Sequence, residues 1–229
     1  TLLALITLLA DAGFAEESWR LDREEDGIRV YTRSVDDSRY RAFRGVVELE
    51  TSLPGAVGLL DNTAACEEWL HLCKESHLIK EVDWSERYIY QISDLPFPAS
   101  TRDAVFQASI SQQANGDIHI DLTSYPDFIP ETKYVRIRDS HGQYLLQKIG
   151  EHTTRLTWTM YIDPGGSLPA FLVNRLLTDI PFKSLEQFRN VVRQDKYQAL
   201  EFRYDAEGRP VDLLNKSWQN PEIIETGPP

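Results

Sequence analysis

At 229 residues, with 41% hydrophobic and 26% charged side chains, the chain suits one sizeable domain plus tails, or two small domains. That composition excludes collagen-like, coiled-coil and disordered classes. A formal net charge of −12 gains no counterion-release energy on DNA or RNA, so nucleic acid is not an expected partner. An anionic membrane surface repels such a chain on average.

Leu2 to Ala10 is almost wholly apolar, with Thr7 as its one polar residue, and Gly13-Phe14-Ala15 follows. About nine apolar residues are too few to span a hydrocarbon core, which takes roughly twenty. They match the apolar region of a secretory signal, with small residues at Gly13 and Ala15 for a cut before Glu16. Residues 1–15 are therefore expected to be a signal-peptide remnant, and the protein to be periplasmic or secreted; the alternative is a buried first helix. In an oxidising compartment Cys66 and Cys73 invite a disulfide. Seven residues of continuous helix would separate their Cα atoms by about 10 Å, beyond the ~7 Å a bridge tolerates. A bridge requires the helix to end near Leu70 to Leu72, and the sequence leaves both states open.

From Trp19 to Glu50, short strand-like runs (Ile28 to Tyr31, Ala42 to Val47) follow the acidic turn Glu24-Glu25-Asp26-Gly27. Pro54, after Thr51 or Ser52 as cap, marks a helix start. Val57, Leu60, Ala64, Trp69 and Leu72 then recur at helical intervals, as two short helices broken near Asp61-Asn62. From His77 to Asp163 alternation dominates: Tyr88, Tyr90 and Ile92; Ala104, Phe106, Ala108 and Ile110; Ile118, Ile120 and Leu122; Leu156, Trp158, Met160 and Ile162. This is the pattern of an antiparallel sheet covered on one side. Turns are expected at Ser111 to Gly116 and at Asp139 to Gly142. After Asp163-Pro164-Gly165-Gly166 the period becomes helical, with Ser167 as cap and Leu168-Pro169 as first turn. A stripe from Leu168 through Leu176 and Leu185 to Val192 predicts a long helix that Pro181 kinks or loosens. A single domain over 16–196 and a loosely packed polar tail over 197–229 complete the reading.

Catalytic signatures are missing: there is no G-x-S-x-G, H-E-x-x-H, Walker loop or G-x-G-x-x-G. Cys66, His71, Cys73 and His77 fit none of the usual zinc spacings. No metal and no cofactor is expected.

Several phrases, read in order, are similar to the START (StAR-related lipid transfer) domain family, and to its bacterial secreted type. They are Asp26-Gly27-Ile28-Arg29-Val30-Tyr31-Thr32-Arg33, then Glu68-Trp69, then Tyr90 with Asp94-Leu95-Pro96-Phe97-Pro98. Arg102-Asp103 and Asp163-Pro164-Gly165-Gly166 with Leu168-Pro169 and Asn174 complete the series, which spans Trp19 to Arg193. The resemblance implies an α+β helix-grip (START/Bet v 1-like) fold, a curved antiparallel sheet wrapped around a long C-terminal helix with a tunnel between. It also implies that Asp94 to Thr101 forms a loop at the tunnel mouth and gates it with the last helix. Arg102 and Asp103 are read as anchoring the start of their strand.

By pattern alone, Phe43, Tyr90, Phe106, Ile120, Trp158 and Met160, with Phe171 and Leu172 of the helix, fill a solid core. The resemblance makes these eight the expected cavity lining, because such sheets are too curved for one helix to fill. The inward faces are expected to be nearly free of ionisable groups. Cholesterol-binding members carry a buried arginine where this chain has Ala108, and the neighbourhood of its acid partner holds Ile89, Tyr90 and Gln91. Sterol specificity is therefore not carried over. The expected function is non-enzymatic binding, with transfer, of a single hydrophobic ligand by a monomer that touches membranes transiently. The alternatives are an aromatase/cyclase-like enzyme of the same superfamily and a protein-interaction scaffold.

Overall fold

The computed structural model describes residues 19–166 and 168–220. The signal peptide expected at 1–15 and the cap expected at Ser167 lie outside the described residues. Strands β1 (Arg20–Glu25), β2 (Ile28–Arg33) and β3 (Ala42–Leu49) lead into α1 (Leu53–Asp61), a 3₁₀ turn (Thr63–Ala65) and α2 (Cys66–Trp69). The chain returns through β4 (Cys73–Asp83), β5 (Glu86–Ser93), β6 (Arg102–Gln112), β7 (Ile118–Ser124), β8 (Val135–Arg136), β9 (Asp139–Gly150) and β10 (Thr153–Asp163). The long helix α3 (Ala170–Val191), the short α4 (Asp195–Gln198) and strands β11 (Glu201–Tyr204) and β12 (Pro210–Leu214) end it. One sheet runs in the order β1-β2-β3-β10-β9-β7-β6-β5-β4, antiparallel throughout that path, with β8 added parallel to the start of β6.

The helix grips the sheet where side chains are smallest. A Cβ placed on Gly45 of β3 would lie 2.6 Å from Leu185 Cδ1 and 3.6 Å from Pro181 Cβ, so only glycine lets α3 approach that strand. Pro181 sits inside α3, which runs on from Ala170 to Val191 through it. Val173, Leu177, Phe182, Leu185 and Phe188 form the buried stripe. At the other short helix, Ser52 Oγ accepts from Gly55 N and Pro54 occupies the first turn. The break near Asp61-Asn62 falls where the spacing places it, between α1 and the 3₁₀ turn.

Two segments depart from the sequence reading. Asp139 to Gly142 is not a turn: β9 runs straight through it, pairing with β10 as far as Asp139 opposite Asp163. Gly142 serves close approach instead, since a Cβ there would meet Thr159 O at 2.2 Å. The chain reverses over residues 125–134, and this loop folds back on the outer face of β5. Phe128 stacks on Tyr88 at 4.2 Å, and Ile129 and Tyr134 pack on the cluster of Ile79, Tyr90, Ile92 and Val105. The second departure is the tail. Residues 201–214 form the β11–β12 hairpin, and Leu200, Phe202 and Leu213 join the main core. Trp218 then reaches α1, 3.3 Å from where a Gly58 Cβ would stand.

Cys66 and Cys73 are bridged, with Cα atoms 5.9 Å apart. The bridge is reachable because α2 stops at Trp69: Leu70 is extended, and Leu72 takes φ 71°. A non-glycine residue in that left-handed region is strained. Closing so short a loop is worth about 2.5 kcal/mol through denatured-chain entropy. Reduction should lower the unfolding free energy in urea by that amount, and an unchanged midpoint in dithiothreitol would contradict it.

Candidate functional site

A cavity of about 210 Å³ opens between α3, the α1–α2 segment and the concave face of the sheet. Its floor is aromatic. Phe43 meets Trp158 edge-to-face at 4.7 Å, Trp158 stacks on Tyr144 at 5.5 Å, and Trp69 sets its edge on Phe188 at 5.0 Å. Such contacts fix ring positions beyond what burial alone would do. Burial pushes the Tyr144 hydroxyl well above the usual phenol range, so it stays neutral.

Phe43, Phe106, Ile120, Trp158 and Met160, five of the eight residues expected here, line this space. The other three do not. Ile89 pairs with Phe106 and Tyr90 with Val105, so β5 turns Ile89 and Gln91 inward and Tyr90 outward. Alternation misleads here because the apolar face of β5 (Tyr88, Tyr90, Ile92) is covered from outside by the 125–134 loop, while the face turned to the cavity carries Arg87, Ile89, Gln91 and Ser93. Phe171 is 77% exposed and Leu172 only half-buried. The cavity-facing stripe of α3 starts one residue later and consists of Val173, Leu176, Leu177 and Ile180.

The expectation of an uncharged interior is also corrected. Asp61, His71, Arg87 and Arg102 all line the cavity. Arg87 stands opposite Ala108 in the β5–β6 register. The small alanine leaves room for an arginine from the neighbouring strand. Arg87 Nη1 donates to Asp61 Oδ1 at 2.5 Å, with both side chains almost wholly buried. Trp218 Nε1 donates to the second oxygen at 3.2 Å and Lys216 Nζ lies 3.9 Å from it, so the C-terminal segment packs on this ion pair. Asn62 donates to Tyr197 Oη at 3.0 Å alongside. Burial, helped by Lys183 and opposed by Asp179, pulls the His71 pKa below its ordinary value.

Arg102 and Asp103, neighbours in sequence, point to opposite faces of β6, as the period of two requires. Arg102 reaches the cavity and donates to Pro164 O at 3.4 Å and to Ser100 Oγ at 3.1 Å. Asp103 lies behind the sheet and accepts from Arg136 at 2.9 and 3.0 Å, Thr132 at 2.7 Å and Tyr90 at 3.0 Å. Each therefore ties the start of the strand to a different loop. At the same end, Leu95 and Ala99 of the 94–101 loop pack with Leu168, Ala170 and Val173 at the start of α3. Within these two segments Phe97 is 94% exposed and Phe171 77% exposed. The meeting of this loop with the last helix agrees with what the resemblance implied, whereas nothing in the sequence marked either ring as exposed.

A family model described as the START domain matches residues 4–197. An uncharacterised protein of Pseudomonas aeruginosa is 31% identical over 196 residues, 82% of this chain and 96% of that protein. The phosphatidylcholine transfer protein of Bos taurus is 25% identical over 166 residues, 69% of this chain and 76% of that protein. Among solved structures, a STAR-related lipid transfer protein from Xanthomonas axonopodis superposes with a TM-score of 0.72 at 33% identity. The match covers 77% of this chain and 99% of that one.

Proposed function

The chain belongs to the START domain family, and from that premise we propose that it binds a single lipid in the cavity beneath α3. The observation that carries this reading is a cavity walled by Phe43, Phe106, Ile120, Trp158 and Met160, whose lining reaches Leu95 of the 94–101 loop and Val173 of α3. Each methylene moved from water onto such walls gains about 0.8 kcal/mol without any polar contact. The relatives named as lipid transfer proteins support the same class of ligand. Transfer follows from the exposed Phe97 and Phe171 at the opening, which are suited to entering a lipid surface while the ligand crosses. The protein acts as a monomer outside the cytoplasm, a setting that suits the Cys66–Cys73 bridge.

A cyclase-like reaction finds less support. Of the acid–base groups lining the pocket, the one carboxylate among the described residues, Asp61, is tied to both Arg87 and Trp218, which leaves His71 without a free acid partner there.

Native mass spectrometry of the protein made through its own export route, followed by lipid extraction, is the test. A discrete added mass that disappears on extraction is expected. The Ala108→Phe protein should lose it, because the new ring occupies space beside Arg87 and Leu122 where about three methylenes would lie. That predicts roughly 2 kcal/mol of lost affinity, about thirtyfold. An empty wild-type protein that also ignores added lipids would sink the proposal.

A further inference from the structure

Three arginines are buried among the described residues: Arg87, Arg102 and Arg136. Two have an aspartate of their own, Arg87 with Asp61 and Arg136 with Asp103. Arg102, 3% exposed, has no carboxylate within salt-bridge reach among the described residues. Its Nε and Nη1 are held by neutral oxygens, the Pro164 carbonyl and the carbonyl and hydroxyl of Ser100. Nη2 has no partner among the described residues. Burial disfavours its charge, and the Tyr40 phenol is the one titratable neighbour that works the other way. Tyr40 Oη is itself buried without a hydrogen-bond partner.

A guanidinium stays protonated at any ordinary pH, and a buried cation without a counter-charge is costly. This one lines the cavity, at the end where the 94–101 loop meets the start of α3. At the other end Arg87 is already paired with Asp61, which also accepts from Trp218.

We propose that Arg102 is the docking point for the anionic end of the bound ligand, a carboxylate or phosphate oxygen carried on a long hydrocarbon body. The anion accepts from Nη2, which the two loop anchors leave free. The hydrocarbon then runs inward over Phe106, Ile120 and Trp158. Arg102 thus selects for charge at the mouth, while the aromatic floor is indifferent to chain identity. This inference rests on the lipid-binding reading above and adds the class of ligand to it.

Four probes of equal chain length separate the two claims: hexadecanoate, hexadecyl phosphate, hexadecanol and hexadecane. Occupancy can be read at pH 8 from the fluorescence of Trp69 and Trp158, which line the cavity. A charge-assisted hydrogen bond predicts that at least one anion binds about tenfold or more tighter than the alcohol. Preference between the two anions tells a fatty-acid-like ligand from a phospholipid-like one. The Arg102→Gln protein should lose the anion preference, and Arg102→Lys should restore part of it. Equal affinity of wild-type protein for hexadecanol and both anions would overturn the assignment of Arg102 while leaving lipid binding intact. No binding of any probe would overturn lipid binding itself. The wild-type comparison holds even if a loop anchored on Ser100 tolerates no change at Arg102.

Discussion

Replacing Asp103 with asparagine should lower the unfolding free energy by about 3–5 kcal/mol, the usual cost of leaving one partner of a buried ion pair behind. Arg136, almost wholly buried, would keep its charge and lose its counter-charge. Thr132 and Tyr90 would lose the carboxylate oxygen to which both donate. Burial and this bond push the Tyr90 hydroxyl up to about 12, so it remains a donor at any working pH. The same carboxylate gives a pH dependence. Burial alone would raise its pKa, but the hydrogen bonds from Arg136 and Thr132 prevail and hold it below the ordinary value. A group depressed on folding contributes stability above its unfolded pKa of about 3.9, and that contribution fades as pH falls through the lower folded value. Urea melts of wild type and Asp103→Asn should therefore converge in strong acid. A constant gap between the two proteins from pH 7 down to pH 2 would contradict this account.

Asp103 also shows what the sequence could and could not reveal. Its place in Arg102-Asp103 marked the start of a strand, and alternation put the two side chains on opposite faces. Phe106 assigned the cavity face of that strand, but the buried pair behind it remained hidden, because the partner of Asp103 is Arg136, 33 positions away on a strand of two residues. Tyr90 was misassigned for the same reason. The apolar face of its strand packs under the 125–134 loop, which has no periodicity of its own, and the more polar face of Arg87, Ile89, Gln91 and Ser93 turns to the cavity. Where one face met water or the cavity alone, as for Ile118 and Ile120 or Trp158 and Met160, the alternation was sufficient. Phe171 failed differently: a helical stripe fixes which residues share a face to within one position, and one position is 100° of rotation. The polar residues of the cavity left no local mark at all. Asp61 and Arg87 lie 26 residues apart and meet only because α1 is folded under β5.

Phe97 and Phe171 lead to the last expected result. Each presents its ring to water, at 94% and 77% exposure, while the residues flanking them in sequence pack together at the cavity opening. Nothing in the fold of the isolated domain gains from this, since an exposed ring contributes no burial. Each ring half-transferred into a lipid surface gains about 1.5 kcal/mol, so the pair contributes about 3 kcal/mol. The double substitution Phe97→Ser with Phe171→Ser should weaken partition onto vesicles of neutral phospholipid roughly a hundredfold. Neutral vesicles are the right surface, because a chain with a formal charge of −12 is repelled by anionic ones. Thermal stability should be unchanged, and so should the affinity for a soluble probe added without membranes, because neither ring lines the cavity. Partition that survives the double substitution would move the docking surface elsewhere. Loss of probe affinity with partition intact would mean that the two rings close over the ligand rather than enter the bilayer.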